Sequence, residues 1–303
     1  MNAIKSIIQF HRLASLPDPL HPLVSIIHVE DIRLAKDALW ERFYLDFYTI
    51  SLKRNVQAKA KYGQQSYDFD KGLMSFTAPK QLQSHEKVDS SEINKDLGTG
   101  YVLLLHPGLL GKHPLAVAIK TYGFFDYAVH EALHLSEKEE RNIIDLFLKI
   151  EEEYQHIDPY TQDIVLAQVD VLLRYCRRFY ERQFITRKTG SNDLLSRTEQ
   201  LLNAYFDKEE SLRQGLPTVD YLANELHLSP HYFSDMLRSL TGQSAQQHIH
   251  QKLIDKAKEY LSVTDLSVAE IAYRLGFEYP QSFNKLFKSK TDQSPLEFRA
   301  SFN

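Results

Sequence analysis

Thirteen histidines, one cysteine and scattered carboxylates are the side chains of this 303-residue chain most able to do chemistry. Their spacing does not assemble a catalyst. His248 and His250 stand two residues apart in a helix-forming stretch, and side chains two apart on a helix face different directions. His85 is alone, and His28, His106 and His113 lie in unrelated contexts. Each reads as a satisfied surface or core residue, not a metal ligand. Cys176 allows no internal disulfide and excludes a site built on several thiolates. Nor is there a glycine-rich phosphate loop, a nucleophile elbow or a close pair of acids in a convincing setting. The reading is therefore no enzyme, no catalytic residue, no metal and no cofactor. Trp40, Phe43, Tyr44, Phe47 and Tyr48 cluster in sequence, either as an aromatic core or as a ligand pocket lined by alternate members.

The elements around these residues fall into two parts. A hydrophobic fraction of 43% and a charged fraction of 25% describe an ordinary globular chain, and the length suits two domains. The net charge of −4 shows no overall basic excess. The N-terminal apolar run is too brief for a signal peptide and no stretch is long enough to span a membrane, so the expected compartment is the cytoplasm. Residues 24–31, 42–53 and 101–110 are rich in β-branched and aromatic residues and read as strands. Residues 82–99 are polar and read as a long exposed connection. From about Lys120 the pattern turns helical. Ser136 and Glu139 form a capping-box pattern ahead of Ile143, Ile144, Phe147, Leu148 and Ile150. Val165, Val169, Leu172, Cys176 and Phe179 then make a short heptad seam, suited to packing on the sheet or to a dimer contact. Residues 184–192, with Gly, Ser, Asn and mixed charge, read as a linker between domains at 1–183 and 193–303.

The C-terminal part contains a degenerate duplication. Val219, Ala223, Leu226 and Leu228 match Val268, Ala272, Leu275 and Phe277 at an offset of 49. Phe233, Leu237, Thr241, Gln243 and Ser244 match Phe283, Phe287, Thr291, Gln293 and Ser294 at an offset of 50. Each unit reads as helix, tight turn, helix, with Ala223 and Ala272 where the paired helices cross. Thr218, Ser229–Pro230, Ser244 with Gln247, Ser267 with Glu270, and Ser294–Pro295 with Glu297 mark helix starts. Thr241–Gly242 marks a stop. This is helix-turn-helix logic, the second helix of each pair being free to enter a major groove. Between the units a helix at about 245–262 would be roughly 27 Å long. It would hold two recognition helices about one DNA turn apart.

Residues 193–303 resemble the DNA-binding domain of the AraC/XylS transcription regulators. The resemblance rests on LANELHLSPHYFSDMLRSLTGQS (222–244) and VAEIAYRLGFEYPQSFNKLFKSKTDQSPLEFR (268–299), a little over a third of the chain being covered. It implies that the first recognition helix exposes His231, Ser234, Asp235 and Arg238 and buries Phe233, Met236, Leu237 and Leu240. The second would expose Gln281, Ser282, Asn284, Lys285 and Lys288 and bury Phe283, Leu286 and Phe287. Gln281 and Asn284 suit adenine, and Lys285 suits guanine O6 and N7. Arg238, Lys288 and Lys290 suit phosphate, as do the helix N-termini at Ser229 and Ser267.

Two residues depart from the pattern. Asp235 stands where the family commonly carries arginine, and Asp292 takes the place of the glycine matched by Gly242. Residues 191–303 also hold 12 Lys and Arg against 15 Asp and Glu, which predicts modest, salt-sensitive affinity.

The N-terminal half resembles the cupin-like sensor half of the same regulators, with 67–85 like its strand-turn-strand centre. A metal-binding member would show His-x-His with a nearby acid and a later histidine, which this half lacks. The expected fold class is α+β. An N-terminal cupin-like barrel or sandwich with packed helices precedes an all-α domain of two helix-turn-helix units joined by a long helix. The function this implies is a sequence-specific transcription regulator, an activator, with an N-terminal effector-binding or dimerisation domain. Its expected partners are double-stranded promoter DNA, a small-molecule effector, a second copy in a homodimer and RNA polymerase, with no membrane. The competing readings are an effector-independent DNA binder whose N-terminal domain only dimerises, and a cupin-type small-molecule enzyme.

Overall fold

Apolar runs in the first half pair into an antiparallel sheet whose two faces are both covered, which is why its central strands carry few charges. The computed structural model describes residues 2–33, 40, 42–54, 72–83, 98–186 and 188–301, and the chain divides into units Met1–Gln183 and Phe184–Asn303. The first unit holds β1 (Asn2–Ile4), β2 (Val24–His28), β3 (Phe43–Leu45) and β4 (Tyr48–Arg54). Next come β5 (Leu73–Thr77), β6 (Thr99–Leu105) and β7 (Leu133–His134). Five strands run in the order β2-β6-β4-β5-β7, each antiparallel to its neighbour, while β1 and β3 form a separate parallel pair. Expected features at 67–71 and 84–97, His85 among them, lie outside the described residues.

One face of the sheet is apolar. Ile50 sits across from Phe76 and Leu103, all buried. Helices α2 (Glu137–Gln155) and α3 (Thr161–Thr186) cover it. The Tyr154 hydroxyl accepts from the Ile26 N–H at 2.8 Å, and Cys176 Sγ lies 3.8 Å from Met74 Sδ. All five residues of the heptad seam are buried in this unit, so the sheet-packing reading holds for that seam. The α2 stripe is narrower than expected, because Leu148 remains 42% exposed. On the other face Ile27, Val102 and Leu104 pack with Ile4, Trp40, Phe43 and Leu45. This joins the small parallel pair, and α1 (Ile7–Leu13) beside it, to the main sheet.

The strand expected over 101–110 ends at Leu105, and Pro107–Leu110 turn into a short helix. Proline cannot donate to a ladder but fits a first helical turn. His106 caps that turn by accepting the Gly108 N–H at 3.0 Å. The other lone histidines also have local partners: His113 accepts from Leu115 N–H, and His28 lies 3.4 Å from Glu151.

Among the described residues of this unit His11 is the buried histidine, 6% exposed. Its Nδ1 meets the Pro17 carbonyl at 2.6 Å and its Nε2 meets Ser25 Oγ at 3.0 Å. A carbonyl can only accept, so Nδ1 carries the proton and Ser25 donates to Nε2. The neutral ring is satisfied, and burial holds its pKa below the ordinary 6.5 against the opposing pull of Pro17 and Asp18. The unfolded chain therefore takes up the proton first. His11 contributes full stability above pH 6.5 and loses it as pH falls through that value towards the folded pKa. In thermal melts from about pH 7.5 to 5, the wild type should lose more stability on acidification than His11→Gln. Parallel curves would remove this role.

The second unit is helical throughout its described residues. It comprises α4 (Lys188–Asp207), α5 (Glu210–Gln214), α6 (Val219–Glu225) and α7 (Pro230–Thr241). Then follow α8 (Ala245–Val263), α9 (Val268–Arg274), α10 (Pro280–Thr291) and α11 (Pro295–Ala300). Residues 184–186 and 188–192, read as a linker from composition, are helical. No helix among the described residues is long and apolar enough to cross a membrane.

Candidate nucleic-acid interface

Two helix-turn-helix units, α6–α7 and α9–α10, flank the 19-residue α8. Ala223 and Ala272 are both fully buried at the helix crossings, where a larger side chain would hold the helices apart. The turns match bond for bond. Leu228 N–H donates to the Ala223 carbonyl at 2.9 Å, and Phe277 N–H to the Ala272 carbonyl at 3.0 Å. The residue between the last helical leucine and this anchor is left-handed in both, His227 at φ 57° and Gly276 at φ 95°. His227 is a feature the sequence did not flag. Non-glycine residues pay a steric cost there, and histidine is among those that tolerate it best.

The ends of the recognition helices are built alike. Thr241 Oγ1 donates to the Leu237 carbonyl and Thr291 Oγ1 to the Phe287 carbonyl, each at 2.8 Å. Each hydroxyl then accepts the N–H of Gln243 or Gln293, at 3.1 and 3.4 Å. Between them Gly242 (φ 74°) and Asp292 (φ 59°) are both left-handed, and their N–H groups donate to Arg238 and Lys288. Asp292 thus keeps the glycine's geometry. Every expected cap is present: Thr218 and Ser229 accept backbone N–H groups. Ser244 with Gln247, Ser267 with Glu270 and Ser294 with Glu297 close full capping boxes.

The second recognition helix separates its faces cleanly. Gln281, Ser282, Asn284, Lys285 and Lys288 are all exposed, while Phe283 and Phe287 are 1% and 0% exposed. Leu286, expected inside, is half-buried because it lies at the margin between the two faces. In α7, His231 and Arg238 are exposed, but Ser234 and Asp235 are half-buried. Phe233, Met236 and Leu237 are buried and Leu240 is half-buried. Tyr232, not expected in the core, is buried edge-on against Phe184 at 5.1 Å.

Charge is sorted by position. Among the described residues Arg238, Lys285, Lys288 and Lys290 form no ion pair, whereas Arg274 is held by Glu209 at 2.8 Å and Lys256 by Asp207 and Glu259. Arg299 is tied to the Leu261 and Leu266 carbonyls at 3.2 and 2.6 Å, bracing the α8–α9 connection. The acids do structural work too. Hydrogen bonds from the Ser267 side chain and backbone hold Glu270 below the usual carboxylate pKa. The Ser294 backbone and side chain do the same for Glu297. The carboxylate of Glu270 therefore already answers the helix N-terminus at Ser267. Net charge understates the cationic character of α10, which carries Lys285, Lys288 and Lys290 and no acid, while Glu270 and Glu297 cap helices elsewhere.

His248 and His250 have separate partners, Thr241 Oγ1 and Gln246, each at 2.9 Å.

Residues 222–301 match the helix-turn-helix domain family model. An uncharacterized HTH-type transcriptional regulator of Escherichia coli (strain K12), YijO, is 25% identical over 64% of this chain and 65% of its own length. The bifunctional transcriptional activator/DNA repair enzyme AdaA of Bacillus subtilis (strain 168) is 31% identical over 33% of this chain and 46% of its own length. The chain thus spans less than two thirds of the length of these relatives. Among solved structures, the C-terminal domain of AraT, a response regulator from Geobacillus stearothermophilus, is 28% identical. It covers 36% of this chain and 84% of that one, with a TM-score of 0.32. Residues 222–301 belong to the helix-turn-helix domain family.

Proposed function

We propose that the protein is a sequence-specific, DNA-binding transcription regulator that acts in the cytoplasm as an activator. Residues 193–303 bind promoter DNA, residues 1–183 bind a small effector and hold a second copy, and 184–192 join them. Activation runs through RNA polymerase at the promoter. The observation that carries this reading is α10. It presents five polar side chains, two of them unpaired lysines, on the face opposite a pair of buried phenylalanines. Gln281 and Asn284 there suit adenine edges and Lys285 suits guanine, while Lys288 and Arg238 suit phosphate. His231 and Ser234 would add contacts from α7, and Ser282 from α10. Asp235 would accept from cytosine N4 or leave α7 the weaker reader.

The test is fluorescence anisotropy of the full-length protein on DNA from its own upstream region, against random DNA, across a salt series. Preferential binding that weakens steeply with salt is expected. Equal affinity for both DNAs at every salt concentration would sink the reading.

A further inference from the structure

The N-terminal unit encloses a cavity of about 440 Å³ between the main sheet and the parallel strand pair, within the size range of small-molecule sites. Its wall is unusual for a sheet face turned inward. Thr49 stands across from Thr77 and Ser51 across from Ser75, so two cross-strand pairs bring four hydroxyls to the cavity. Thr49 and Ser51 are only 9% and 8% exposed. Lys53 continues the same face of β4, and Gln83 reaches the cavity from beyond β5.

Buried polar groups in folded proteins normally find partners within the chain. Among the described residues the buried Gln83 Nε2 has no acceptor, and the four hydroxyls and the half-buried Lys53 ammonium, which line the cavity, form no hydrogen bond or ion pair. The unmet groups are donors or hydroxyls that can donate. Burial pushes the Lys53 ammonium below its ordinary pKa, so an anion beside it would be strongly favoured. No Asp or Glu is among the described lining residues, which disfavours a ligand carrying its own cation. Much of the remaining wall, including Phe10, Trp40, Val102 and Leu104, is apolar, and Gln81, which also lines it, accepts from the Ala78 N–H.

We propose that this cavity binds a small organic carboxylate with an apolar body, its carboxylate met by Lys53, Gln83 and the strand hydroxyls and its body by the aromatic and aliphatic wall. The proposal rests on the effector-binding role given above to the N-terminal unit, and names the ligand class for it.

Trp40 is the chain's single tryptophan and lines the cavity, so its fluorescence is a built-in reporter. Full-length protein would be titrated with sodium ω-phenylalkanoates, from phenylacetate to 6-phenylhexanoate, and with the primary alcohols of the same skeletons. At least one acid should change Trp40 emission saturably and bind about tenfold or more tightly than its alcohol, as charge-assisted hydrogen bonds require. Lys53→Met should abolish that preference while retaining alcohol binding and the far-UV spectrum. Gln83→Leu, which keeps the backbone bridge to Phe43, should reduce it. Three results would overturn the proposal: no compound perturbs Trp40, acid and alcohol bind equally to the wild type, or both variants keep the wild-type preference. Upstream-DNA affinity of the same preparation separates the two readings. A silent cavity with intact DNA preference removes only this inference, and saturable carboxylate binding without DNA preference removes only the regulator reading.

Discussion

Gly276→Ala will destabilise the C-terminal unit by roughly 2–4 kcal/mol, a large part of the stability of a typical domain. Two costs add at this position. Its φ of 95° is one that side chains with a Cβ rarely adopt, and the added carbon would fall 2.5 Å from the carbonyl carbon and oxygen of Gly215 and 2.9 Å from Leu216 N. Those atoms are backbone, and they are pinned. The Tyr205 hydroxyl donates to the Gly215 carbonyl at 3.0 Å, while the Phe277 N–H anchors the other side of the turn on Ala272. The clash therefore cannot be relieved by turning a side chain. Gly242→Ala is the control, because its φ of 74° carries the conformational cost but nothing lies within 4 Å of the new carbon. Denaturant midpoints followed by circular dichroism should fall far more for Gly276→Ala than for Gly242→Ala. Equal losses would show that the close approach to Gly215 has no energetic weight.

The second large effect concerns recognition. Replacing Gln281 and Lys285 together by alanine removes two exposed side chains from a helix whose packing rests on Phe283 and Phe287. The melting curve should stay within error of the wild type. Each base-edge contact accounts for about 1–3 kcal/mol of discrimination, so with both contacts gone preference for upstream over random DNA should fall by roughly one and a half to four orders of magnitude. Lys288→Ala should act differently. As a phosphate contact it would weaken binding to both DNAs alike and lower the salt slope by about one unit. Unchanged upstream affinity in the double variant would overturn the assignment of α10 as the reading helix.

Much of the second unit was legible because its boundaries depend on neighbours a few residues apart. A serine three residues before a glutamate or glutamine predicts a capping box, and the three such boxes expected there formed. The periodic placement of Phe233, Leu237, Phe283 and Phe287 likewise marked faces that are buried. Asp292 adopts the left-handed turn expected of it. What local pattern could not reveal depends on residues far apart in the chain. The left-handed His227 looks like any polar loop residue until its turn is compared with that at Gly276. Helix α5 has no distinctive sequence, yet its Ser211 hydroxyl donates to the Arg274 carbonyl at 2.7 Å. The hydroxyl pairs facing the cavity emerge only once the register of β4 and β5 is known. The strand expected through 110 ends at Leu105 because Pro107 has no N–H for a ladder, a stop that the apolar run around it masks.

The brace between α5 and the second turn has a consequence for how the chain is made. Ser211 and Arg274 are separated by 63 positions, and Glu209 reaches the same arginine. On the ribosome the bracing segment emerges long before the turn it holds, and the first helix-turn-helix is complete while that segment still lacks its partner. That brace therefore cannot form until the second motif has emerged. The unit's last third must be delivered before its first third is locked, which favours a single late folding event. A nascent chain stalled between the two motifs would leave the brace unengaged, exposed to proteases and chaperones rather than shielded by a finished half-domain.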